Sequence, residues 1–157
     1  MNVVAVQTAY SEHIAVGLAG QIVNTREWDG ITRTCEPATL GFGLAVKQGT
    51  DRAHGCTVGG IIADFLGVTI RDITLITHVS ANVDKYEVGN NVGILTDGEI
   101  WVQVSVDVTP DDPVYYDATT GIFKISGGTG PLLGARWMAN SVSGLCRLHL
   151  PNYGQAA

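Results

Sequence analysis

From Ile100 to Val108 the even positions read Ile, Val, Val, Val, Val, and the odd positions from Glu99 to Asp107 read Glu, Trp, Gln, Ser, Asp. A period of two marks a strand with one buried face and one polar face. Pro110 and the Asp111–Pro113 stretch break the run. Upstream, "NVGIL" and "EIWVQVSVDV" flank Thr96-Asp97-Gly98. An Asp-Gly pair supplies the positive φ that tight turns require, so a hairpin is predicted there. "VYYD" and "GIFKIS" flank Ala118-Thr119-Thr120, which predicts a second hairpin with Gly121 in its turn. "LLGARWMA" and "GLCRLHL" flank Asn140 to Ser143, which predicts a third.

The first half of the chain reads the same way with weaker signals. "ITRT" (31–34), "GFGLAVKQG" (41–49) and "DFLGVTIRD" (64–72) have strand composition, the second opened and closed by glycine. "HIAVGLAGQIVNT" (13–25) fits either a short helix or a strand pair bent at Gly17 and Gly20. Almost no window sustains a helical period. Short strands at intervals of roughly 8–12 residues predict an all-β fold, a single compact β-barrel or jelly-roll-like sandwich. No repeat or linker divides residues 1–157, which predicts a single domain: residues 1–12 as an extended N-terminal arm and 13–157 as the β body.

Composition changes the picture in one respect. The chain is 45% hydrophobic and only 15% charged, against roughly 25% charged in ordinary soluble domains. A chain so short of charge is expected to cover part of its surface with protein, as an oligomer or within an assembly. Its nine Lys and Arg are dispersed and its net charge is −6. That argues against nucleic acid and against an anionic membrane surface as partners. "MNVVAVQTAY" has no basic leader, so no signal peptide is expected, and no apolar run reaches the ~20 residues of a spanning helix.

Candidate chemistry is thin. Cys35, Cys56 and Cys146 form no CxxC and predict three free, buried thiols of a protein made in a reducing cytosol. His54 and Cys56 are two apart, which in a strand would place both on one face, but the remaining ligands of a zinc site are missing at the usual spacings. Asp111, Asp112 and Asp117 do not match a calcium loop and read as turn residues. No nucleophile motif and no phosphate loop is present, so no catalytic residue, metal or cofactor is expected. The aromatics remain. Trp101 falls on the otherwise polar face beside Gln103, and Tyr115 and Tyr116 lie on the next hairpin. These four are the candidate protein-interface residues.

In order, "GFGLAVKQGTDRAH", "FLGVTIRD", "YEVGNNVGILTDGEIWVQV", "DDPVYYDATTGIFKI" and "LLGARWMANSVSGLCRLHL" resemble the structural cement, or head decoration, proteins of tailed bacteriophages. The likeness is collinear from Leu40 to Leu150 and weaker before it. It implies a virion protein, synthesised in the host cytoplasm, that binds the outside of an assembled capsid. There it would bridge neighbouring copies of the major capsid protein, as a non-enzymatic homo-oligomer, a trimer or a dimer. Two other classes stay open on the residues alone. One is a carbohydrate-binding β domain of a phage attachment or tail structure, with Trp101, Tyr115 and Tyr116 as a stacking platform. The other is a small β enzyme with a dispersed site.

Overall fold

A computed structural model describes residues 16–24, 26–75, 84–128 and 130–152; the expected N-terminal arm lies outside them. Among these described residues, eleven strands follow in order. They are β1 (Asp29–Cys35), β2 (Leu40–Gly41), β3 (Ala45–Gln48), β4 (Gly55–Val58), β5 (Phe65–Thr69), β6 (Lys85–Tyr86), β7 (Asn91–Gln103), β8 (Tyr115–Tyr116), β9 (Phe123–Lys124), β10 (Arg136–Trp137) and β11 (Leu145–Leu150). The only helical elements among the described residues are two 3-10 turns at Ile62–Asp64 and Ile73–Leu75. The all-β expectation is met.

Seven strands form one sheet in the order β1-β4-β3-β5-β7-β11-β10, and β1 also pairs with β7. Five of them thus close a hydrogen-bonded circuit, from β1 through β4, β3, β5 and β7 back to β1. Closure leaves those strands without a free edge along which to recruit other chains. One core cluster holds Cys35, Val46, Cys56, Val92 and Ile94 with Leu40, Phe42 and Tyr86. The other holds Ala45, Val68, Leu95, Ile100, Val102, Tyr116, Phe123, Trp137 and Leu148. Strands that are apolar on both faces and flanked by two cores fit a compact β-sandwich.

The second and third predicted hairpins are present: Tyr116 pairs with Phe123 across β8–β9, and Trp137 with Leu148 across β10–β11. In the first, Gly121 takes a φ of +69°. In the second, Ser143 and Gly144 both take positive φ. The predicted turn at Thr96-Asp97-Gly98 is not a turn. A single 13-residue strand, β7, runs straight through it. A two-residue hairpin of the expected kind needs positive φ at both central residues. Here Gly98 has it, at +119°, and Asp97 does not. The pair instead marks a change of partner, since β1 lies along Asn91–Asp97 and β11 along Gly98–Gln103.

The register shows how one strand serves both cores. Asp29 pairs with Asp97 and Gly30 with Leu95, so Thr96 is left over as a bulge. Before it the even residues Val92 and Ile94 face one core. Beyond it the even residues Ile100, Val102 and Val104 join Leu95 in the other. The period-two reading of Ile100–Val108 holds for the even positions up to Val104; β7 ends at Gln103, Val106 is exposed, and Val108 is buried again.

Residues 41–49, predicted as one strand, are two pieces. Gly43, at φ +68°, separates β2 from β3 and brings its backbone against Gly20 and the Trp101 carbonyl. The ambiguous segment before Asn24 is neither helix nor strand pair in its described part. It lies along β7, with Gly20 N donating to Trp101 O at 2.7 Å and Val23 N to Glu99 O at 3.0 Å.

Candidate functional site

Two of the four expected interface residues are core. Trp101, expected on an exposed face, is 8% exposed. The chain at Gly17 lies against its indole, so closely that a Cβ there would sit 2.3 Å from Nε1. The alternation in sequence predicted the polar face correctly but could not show that residues 17–23 cover it. Tyr116 is fully buried and packs on Phe65 and Phe123 with ring centroids 5.4 and 6.1 Å apart. Gln103 is half-buried and donates from Nε2 to Phe42 O at 2.9 Å. Tyr115 is half-buried, paired with Lys124 across the β8–β9 hairpin. The structure brings no exposed stacking platform together at Trp101, Tyr115 and Tyr116.

The cysteines, His54 and Asp117, the residues whose spacing suggested chemistry, are occupied by structural work. All three cysteines are free and buried, as expected. Burial above all, then the neighbouring Cys35, pushes the Cys56 thiol up to about 12, far from the thiolate a nucleophile needs. Cys35 and Cys146 donate from Sγ to the carbonyls of Ala38 and Ala139, each at 3.1 Å. His54 is not in the strand with Cys56. It sits in the preceding turn, exposed, its Nδ1 3.0 Å from Asp51 Oδ2. Asp117 is a turn residue as expected: its Oδ1 accepts from Thr119 N and Thr120 N at 2.9 and 3.0 Å. Those donors, with Lys124 Nζ at 3.2 Å, hold its carboxyl well below the usual carboxylate range.

The free surface is apolar in several places away from the four candidate residues. Leu18 and Ile73 stand exposed around a groove of about 360 Å³ that Gly20, Ile22 and Ile70 also line. Leu133, Met138 and Val142 are exposed next to β10 and β11. Trp28, in the loop before β1, is 48% exposed. Its flanks are Glu27 and Asp29, a signal available in the sequence, since a Trp between two carboxylates has no apolar stripe to join. Exposed apolar groups of this kind suit a protein that works by contact.

Comparison with known proteins agrees with that reading. A search of the curated proteins finds no match. Among solved structures, a chain of "The capsid of Myoviridae Phage XM1" superposes with a TM-score of 0.69 at 16% identity, covering 96% of this chain and 99% of that one. At that identity the likeness is one of fold. The family model for structural cement proteins (E217 gp24/Pam3 gp6) matches residues 6–150. Since that match spans nearly all of the sequence, the chain belongs to the phage structural cement protein family.

Proposed function

We propose that the chain attaches to the outer surface of an assembled phage shell and bridges neighbouring copies of the major capsid protein. The observation that carries this is the family match over residues 6–150, and the fold shared with a chain of a phage capsid supports it. The physics is compatible. A body with two cores and a closed strand circuit resists deformation, and a surface poor in charge loses little by desolvation on contact. An interface of ~1,600 Å² gives anything from micromolar to picomolar affinity, and repetition over a symmetric lattice adds avidity. A cyclic homo-oligomer, a trimer or a dimer, would match the threefold and twofold positions a shell offers. Of the four candidate interface residues, Gln103 and Tyr115 retain accessible surface. Trp101 and Tyr116 would act only by holding them in place.

The test is to quantify this chain against the major shell protein in purified particles by gel densitometry. A copy number comparable to the shell protein's is expected. Particles stripped of the chain should then rupture at a lower temperature, with restoration when it is added back. A handful of copies per particle, or none, would sink the reading.

A further inference from the structure

We infer that the cleft where β1 and β11 part company along β7 is a carbohydrate-binding site, with Trp28 as its stacking surface. The cleft has a volume of about 250 Å³ and is lined by Asn24, Arg26, Glu27, Gly98, Glu99 and His149. It exists because of the bulge at Thr96 and the change of partner at Gly98; bulges beside binding sites commonly re-aim side chains in this way. Trp28 adjoins it. A Cβ on Gly98 would lie 2.8 Å from Trp28 Cβ, and one on Gly30 would lie 3.4 Å from the far edge of the indole. Gly98, which lines the cleft, leaves room for the base of the Trp28 side chain and Gly30 for the edge of its ring, and the residue stays half exposed.

The lining is pre-set and underused. Asn24 Nδ2 donates to Glu99 Oε2 at 3.1 Å, and Arg26 N donates to Asn24 Oδ1 at 3.0 Å. His149 stands opposite Glu99 across the β7–β11 pairing. Yet the Arg26 guanidinium, the Glu27 carboxylate and the His149 ring have no hydrogen-bond or ion-pair partner among the described residues.

These groups select the ligand. A pyranose presents an apolar C–H face that stacks on an indole, and hydroxyls that pair with planar amide, carboxylate and guanidinium groups. The volume is just below the usual range of ~300–1,000 Å³ for ligand pockets, which suits one sugar ring better than an extended chain. Glu27 and Glu99 oppose a phosphate or an acidic sugar, which leaves neutral and amino sugars. No group of three metal-ligating side chains occurs among the described residues. The site is separate from shell attachment and works only if the cleft faces away from the shell.

Saturation-transfer NMR on the full chain with galactose, N-acetylglucosamine and glucosamine tests this. Saturable transfer to ring C–H protons of at least one sugar in the millimolar range is expected, at least tenfold weaker in Trp28→Ala and in Glu99→Gln. Circular dichroism establishes that the variants fold, and Glu27→Gln, which alters only a partnerless side chain, serves if Trp28→Ala does not. Three results would overturn the assignment: no saturable transfer from any of the three sugars, transfer unchanged in folded variants, or loss of shell attachment in Trp28→Ala without sugar binding by the parent. The last would make the cleft a protein interface.

Discussion

At the scale of residues, glycine sets the tightest constraints. Gly67 has φ +150° and approaches β7 so closely that a Cβ would sit 2.1 Å from Leu95 O and 2.8 Å from Ile94 Cγ2. Gly127 has φ +72° with nothing within 4 Å. Both positions disfavour other residues, for different reasons. Gly127→Ala should cost about 1–2 kcal/mol, the left-handed backbone alone. Gly67→Ala adds a backbone collision and should cost ~3 kcal/mol or more, or prevent folding. Urea unfolding of the two variants separates these cases. The thiols give a second prediction. With burial raising Cys35, Cys56 and Cys146, none should react promptly with Ellman's reagent at pH 8 in the native chain. All three should react in guanidinium. A promptly reacting thiol in the native state would mean that the cores open readily.

At the scale of elements, β7 is the organiser, and its two ends make opposite demands. Ile100 is fully buried while Val106, in the same sequence pattern, is 43% exposed. Ile100→Ala should cost about 2–5 kcal/mol, and Val106→Ala no more than about 0.5 kcal/mol. Equal costs would show that the strand continues past Gln103. The β8–β9 turn carries a pH dependence. Asp117 has a folded pKa below its ordinary value, so its stabilising contribution is present above about pH 4 and is lost as pH falls further. Asp117→Asn should lower the urea midpoint at pH 7, and the gap to the parent should close as the pH drops below that point. The carboxylate is 39% exposed, so the gap will be modest.

At the scale of the molecule, the proposed attachment to a shell would rest on shape and apolar contact, because only 15% of the residues are charged. With a net charge of −6 spread over 157 residues, shell binding should depend weakly on salt. Raising NaCl from about 50 to 500 mM, which shortens the screening length to a few Å, should change the apparent affinity less than tenfold. A steep dependence would place ion pairs at the centre of the interface. Fold class, the β8–β9 and β10–β11 hairpins, the buried thiols and the family were all legible in sequence. Each rests on local alternation, local turn chemistry or collinear order, and these are written in neighbouring residues. The fate of Asp97-Gly98 was not. An Asp-Gly pair is compatible with a hairpin or with a bulge, and the choice was made by β1 and β11, whose residues lie more than 45 positions away on either side. Trp101 was misplaced for the same reason, since its cover at Gly17 is brought there only by pairing along β7. The sequence determined which side chains are apolar and how they alternate with polar ones along each strand. Only the tertiary structure decided which segment does the covering, and so which Trp is left outside: burial is set by partners distant in the chain.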